Sequence, residues 1–549
     1  MLKLFSPPPF PFDYDEWKAL PFGERVNKLC QVWALRGYGA PVAIYSFYVL
    51  KIGLYVLGWL VFCSHTHTLG AVSDIDHWWF KPEALQKAIL WSILFEVLGF
   101  GSGSGPLTAR YFPPFGAFLH FFRPGTIRRP MFQNMAVVGG DRRRWLEVFL
   151  YANLVFGLLW ALMAPKLNFT HIYPILMLLP VLGILDRTIF LCARAEHYWI
   201  ALLCFMFPED ALAGTKVVWW AVWFWAATSK LNRHFPSVIA VMVSNSAILR
   251  SKWLKKRLYR NFPEDLRPSK TATVMAHMGT IIEYLFPLIL IFGHGGTMTT
   301  VGLIVMLVFH LFITLNVPMA VPIEWNVIMV YGGFVLFGHH AETWIFDIQS
   351  LPLIAMLFLM VGVIPIVGNL VPKWVSFLMS MRYYAGNWAY SVWLFKDGCN
   401  DKLDDHLVKS SKTVVKQLST FYDENTSNAL ISMVIAFRSM HLHGRVLMEL
   451  VPKAVDDIDA YTWRDGELIA GIALGWNFGD GHLHNEELLQ AIQRRCNFEP
   501  GQLRCIFVQS QPFFRPHHDW RIVDACDGQI ASGRTKIDDI IDLQPWKQV

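Results

Sequence analysis

The sequence predicts an α-helical polytopic membrane protein of about ten transmembrane helices with re-entrant segments, carrying a C-terminal cytoplasmic α+β domain. Three observations predict it. Of 549 residues, 54% are hydrophobic and 16% charged, against about a quarter charged in soluble chains. Aromatic residues reach 15%, with 23 Trp and 41 Phe, as membrane-interface belts require. Apolar runs of span length recur up to about residue 375 and then cease.

The N-terminal segment, residues 1–40, lacks the continuous apolar stretch of a signal peptide and carries Asp13, Asp15 and Glu16. It is expected on the cytoplasmic side. Residues 41–375 form the predicted membrane domain. Candidate spans lie near 41–64, 86–103, 144–164, 172–193, 197–208, 214–229, 273–294, 299–316, 324–340 and 350–372. Basic residues gather before the first run, between Arg110 and Arg144, and over 250–270, whereas the 65–85 and 209–213 loops are acidic. Positive charge stays on the cytoplasmic side. This alternation predicts cytoplasmic N- and C-termini in the cell's inner (plasma) membrane. It also requires the apolar run 236–248 not to cross, followed by a basic interfacial helix over 250–260.

Residues 376–549 are more polar and predict the α+β domain. Helices are expected over 425–450 and 485–496, and strands at 466–479 and 503–514. A hairpin is expected over 520–537 with Asp527-Gly528 at its turn.

The eight cysteines are scattered without a CxxC, which gives neither a zinc ribbon nor a disulfide framework. The local His pairs, HLHGR, GHLHN, RPHHDW and GHHAE, lack a metalloprotease or di-iron spacing, so no metal site is expected. Walker, dinucleotide and nucleophile-elbow motifs are missing too. The formal net charge of +6 is read as loop charge. Membrane lipids are the expected partners, and nucleic acid is not.

Ionisable residues within apolar helices are expensive and point to function by default. Glu96 precedes a glycine series, Gly99, Gly101, Gly103 and Gly105. That series lacks the Lys and Ser/Thr of a phosphate loop and reads as close packing or a helix break. Asp186, Arg187, Arg194, Glu196 and His197 fall within one stretch; His277 and Glu283 share another; His310 stands in a third. Lys230 and Asn232 end the Trp-rich run WFWAATSKLN. A lysine there either anchors the helix end or, if covered, serves as a base.

Several stretches resemble a family of multi-pass bacterial membrane proteins of unknown function. They include FEVLGFGSGSGPL, ATSKLNRHFPSVIAVMVSN and VPMAVPIEWNV. WFWAATSKLNRHF is also similar to a segment of the horizontally transferred transmembrane (HTTM) family, which includes vitamin K-dependent gamma-carboxylase. In that segment the residue before Thr-Ser-Lys is Gly, whereas here it is Ala227. The resemblance implies that Lys230 is a base acting on a quinone-like lipid. The LDRTIF…EHYW stretch implies roles for Asp186, Arg187 and an assisting His197.

The expected function is therefore a membrane-embedded enzyme acting on a quinone, isoprenoid or acyl lipid. Lys230 and His197 would be catalytic, and Glu96, Asp186, Arg187, Asn232, His277, Glu283 and His310 would bind or tune. The alternative is a non-enzymatic lipid carrier, transporter or assembly factor.

Overall fold

The computed structural model describes residues 3–101, 116–316, 323–374, 382, 385–476 and 481–547. Two amphipathic helices open the chain, α1 (Tyr14–Lys18) and α2 (Phe22–Arg36). Asp13 caps α1 by accepting the amide hydrogens of Asp15 and Glu16. The longer helices that follow among the described residues are α3 (Val42–Ser64), α4 (Pro82–Val97), α5 (Trp145–Met163), α6 (Phe169–Leu185), α7 (Ala211–Thr228), α8 (Phe235–Asn245), α9 (Lys270–Phe292), α10 (Gly296–Thr314), α11 (Ile323–Gly333) and α12 (Leu351–Leu370). Among the described residues, α3, α5, α9, α10 and α12 are long and apolar enough to cross a membrane. Their outer faces expose Leu50, Phe156, Val308 and Phe358, whereas Lys51, Glu147, Glu283 and His310 are buried.

The shorter helices end for identifiable reasons. α4 stops at Gly99, whose φ of 85° falls in the left-handed region that favours glycine. The predicted span 172–193 is not one helix. Asp186 breaks it: the carboxylate caps the next helix by accepting the Thr188 amide at 3.0 Å and pairs with Arg143 at 2.8 Å. The predicted span 197–208 is instead a π-helical turn, Ala195–Trp199, continued by a five-residue helix, Ile200–Cys204. α8, with 11 residues, rises only about 16 Å against a hydrocarbon core of about 30 Å. It lies instead against α2, where the Trp33 indole donates to the Val241 carbonyl at 3.0 Å.

Two strands form a small ribbon, β1 (Tyr259–Asn261) with β2 (Asp265–Pro268). The C-terminal part carries an antiparallel sheet of five strands in the order β4-β3-β5-β6-β7. Its strands are β3 (Tyr390–Lys396), β4 (Tyr461–Asp465), β5 (Leu503–Val508), β6 (His517–Asp524) and β7 (Gly528–Lys536). Three helices pack with it: α13 (Glu424–Met440), α14 (Gly466–Ala473) and α15 (Glu486–Cys496). The helix expected at 485–496, the strand within 503–514 and the hairpin 520–537 are present. The strand expected at 466–479 is not: its described part begins as α14. A short apolar run suits a buried helix as well as a strand. Asp465 decides between them by capping α14 at the Glu467 amide, 2.8 Å away. Residues 477–480 lie outside the described set.

The basic loops and the C-terminal part meet on one side. Arg129 and Arg187 both reach Glu487, Arg494 and Arg495 hold Asp141, and Arg233 and Arg267 pair with Asp538 and Asp542. The charge that would mark a membrane side thus also docks the sheet.

Candidate functional site

Two groups of buried ionisable residues lie between the helices around the predicted site residues. The first surrounds Glu96, the penultimate residue but one before the α4 stop. A Cβ on Gly101 would come within 2.3 Å of the Glu96 carboxylate, so the close approach of chain and carboxyl requires glycine there. Arg194 Nε donates to Glu96 Oε1 at 3.2 Å, both side chains being fully buried. Arg194 has a φ of 49°, a conformation that Cβ sterics disfavour by about 1–2 kcal/mol. It is followed at once by the π-turn Ala195–Trp199, a distortion often met at functional sites. Glu96 is also hydrogen-bonded to Glu324 of α11. Two carboxyls can share a hydrogen bond only if one carries a proton. Lys51 of α3 lies in the field of both acids and donates to the Gly101 carbonyl at 2.8 Å.

His197 and Tyr198 of the π-turn complete this group. Their ring centroids are 4.2 Å apart, and Tyr198 lies in the field of Glu96, Glu324 and Arg194. Among the described residues, neither ring nitrogen of His197 nor the Tyr198 hydroxyl has a hydrogen-bond partner, although both side chains are buried. Buried polar atoms are almost always paired in folded proteins.

The second group surrounds Lys230, just beyond the end of α7. Its ammonium forms an ion pair with Glu283 of α9 and lies 5.4 and 5.5 Å from the ring centroids of Phe235 and Phe309. α8 therefore does cover the lysine, through its first residue. His310 of α10 is held on both sides. The Trp223 indole, which can only donate, gives its hydrogen to Nε2 at 3.0 Å; Nδ1–H then donates to Asn326 Oδ1 at 2.8 Å. Tyr284 donates to Thr228 at 2.7 Å beside them.

Lys230 and His197 thus belong to different groups, and α11 touches both. Glu324 meets Glu96, Trp325 lies 5.7 Å from the His197 ring, and Asn326 meets His310. Positions two apart on a helix point about 200° apart, so the two groups flank α11 on opposite sides. The remaining predicted residues do other work. Asp186 is a cap, Arg187 docks Glu487 at 3.0 Å, and Asn232 accepts the Phe514 amide at 3.4 Å. His277 is exposed on α9.

The sequence reading passed over Lys51, Glu324 and Asn326. The first is a lone charge in an apolar span and was open to detection on that ground. Glu324 sits where the predicted span 324–340 begins, and an acid at a span edge carries no such signal.

A third cluster lies at the junction with the sheet. His234, His441, His443 and His518 are all buried, with His443 centred 5.5 Å from His234 and 4.3 Å from His518. Burial lowers all four, His234 and His518 to about 4 and His441 to about 3, and mutual repulsion adds to it at His443. Among the described residues no group has the arrangement of a metal site.

Five helices long and apolar enough to cross a membrane among the described residues, with buried polar side chains between them, define a polytopic helical membrane protein. The chain belongs to the family of transmembrane proteins of unknown function (DUF3556), which it matches over residues 4–549. No curated protein and no solved structure matches it.

Proposed function

We propose that the chain is a membrane-embedded enzyme that acts on a lipid-soluble substrate by acid–base chemistry, at the Glu96 group. The observation that carries this reading is the buried pair His197 and Tyr198, whose side-chain polar atoms have no hydrogen-bond partner among the described residues, beside two hydrogen-bonded carboxyls. The shared proton supplies an acid, His197 a base or hydrogen-bond donor, and Arg194 with Lys51 stabilises negative charge that develops on an oxygen. A quinone-like or other oxygen-bearing lipid headgroup suits that set. Lys230, the base implied by the HTTM resemblance, is better read as a buried ion pair. The protein is taken to lie in the plasma membrane with its basic side cytoplasmic and about ten membrane-embedded helical segments.

One observation favours the carrier reading: Glu324, Trp325 and Asn326 touch both groups, which would let one group sense the other. The test is lipid identification by mass spectrometry on the purified full chain. A specific lipid-soluble molecule is expected with wild type and Lys230→Met but not with Glu96→Gln or His197→Phe. Conversion of that molecule on incubation supports the enzyme, and unchanged recovery supports the carrier. An identical lipid content in all four proteins overturns the site.

A further inference from the structure

A cleft at the C-terminal part is lined by residues that lie far along the chain from either membrane group. It has a volume of about 500 Å³, within the range of small-molecule sites. One wall comes from the N-terminal helices, with Tyr14, Trp17 and Phe22; the other comes from edge strand β4 and α13, with Trp463, Arg464 and Ser432.

The charges around it are unevenly matched. Arg25 pairs with Asp459, and Lys416 pairs with Asp401 at 2.9 Å. Lys18, Asp397 and Glu424 are exposed at the surface. Arg464 is half-buried, and among the described residues its side chain donates to the neighbouring Trp463 carbonyl at 2.9 Å. Among the described residues no carboxylate acts on it, and Tyr14 is the neighbour that favours its charge. Loss of hydration lowers the guanidinium to about 10, with Tyr14 offsetting part of that. Arg438, a fully buried arginine of the same domain, makes the contrast. Burial opposes its charge as well, but Asp465 at 2.6 Å and Glu467 at 3.0 Å outweigh that and hold it above its ordinary value.

We infer that the cleft binds a small organic anion, a carboxylate or a phosphate monoester with an apolar or aromatic body, through the fork of Arg464. A guanidinium engages such groups by two parallel hydrogen bonds. Trp17, Phe22 and Trp463 supply the surface for the body, and Tyr14 and Ser432 supply hydroxyls. Because the site joins the N-terminal helices to β4, occupancy would also fasten that segment to the sheet. The inference does not depend on the membrane site.

The test is isothermal titration of the detergent-solubilised full chain with two probes, phenyl phosphate and phenylacetate. At least one is expected to bind with a dissociation constant below about 1 mM. Arg464→Met is expected to weaken that binding by about 10- to 100-fold. Ser432→Trp fills the cleft without touching the charge and is expected to block it. Should the Met variant elute as aggregate, Arg464→Lys and Ser432→Trp decide. Binding of one probe only assigns the anion as phosphate or carboxylate. Failure of both probes, or equal binding to wild type and Ser432→Trp, overturns the inference.

Discussion

The Lys230 group and the Glu96 group are built from similar residues, each with acids, a cation, a histidine and aromatic rings, yet they differ in one respect. Around Lys230 each functional side chain has its partner: lysine with Glu283, and histidine with an indole on one nitrogen and an amide on the other. Around Glu96 the acids and Arg194 are joined, but His197 and Tyr198 are buried with unpartnered polar atoms among the described residues. A satisfied buried network rigidifies a fold; an unsatisfied atom is a standing penalty of about 1–3 kcal/mol that a ligand can remove. The difference teaches that burial of a charge between helices does not by itself mark the working site.

The largest effect should come from the histidines at the junction, where each ring also has one unpartnered nitrogen. Their lowered values mean that the folded chain keeps them neutral. As pH falls below about 6.5, the unfolded chain takes protons that the folded chain refuses, so stability declines. The decline continues to about 4 for His234 and His518 and to about 3 for His441, where each takes its proton in the fold. Arg438 and Arg445 add to the repulsion. Hydrogen exchange over 385–547 should show faster opening at pH 5 than at pH 7, a larger loss than any single substitution below. Unchanged protection would mean that the four rings do not share a buried site.

Next in size is Lys230→Met, which leaves Glu283 buried without its cation. Breaking a buried pair in this way is destabilising by about 3–5 kcal/mol. The double variant Lys230→Met/Glu283→Leu should recover most of it, as read from thermal unfolding in detergent. If the double variant is as unstable as the single, the pair is not the structural element that the comparison makes it.

His197→Phe should behave in the opposite way. It removes no hydrogen bond, so stability should stay within about 1 kcal/mol of wild type while the co-purifying lipid is lost. A large drop in unfolding temperature would give His197 a structural role and erase the contrast. The smallest effect is expected at the surface. Arg233 and Asp538 keep 58% and 71% of their side chains exposed, and Arg233→Ala should change stability by less than about 1 kcal/mol.

Much of the fold was legible. The apolar spans at 41–64, 144–164, 273–294 and 299–316 correspond to α3, α5, α9 and α10. The non-crossing of 236–248 agrees with the brevity of α8. The helix α14 and the break at Asp186 were missed because both turn on a single aspartate whose side chain caps a helix. A capping carboxylate and an intramembrane acid look alike in one dimension. Within the site, Glu96 and His197 stood out as polar residues in apolar runs. Their grouping with Glu324 did not, since 228 positions separate Glu96 from Glu324.

By itself the sequence determined that this chain lives in a membrane and which of its runs are apolar enough to be helices there. Hydropathy and local charge are properties of neighbouring residues, and they survive without a fold. Only the tertiary structure decided that Lys230 pairs with Glu283, that His197 joins Glu96, and that three consecutive residues of α11 stand between the two groups. Such choices depend on which helix faces meet, a matter of packing between distant segments that local pattern does not encode.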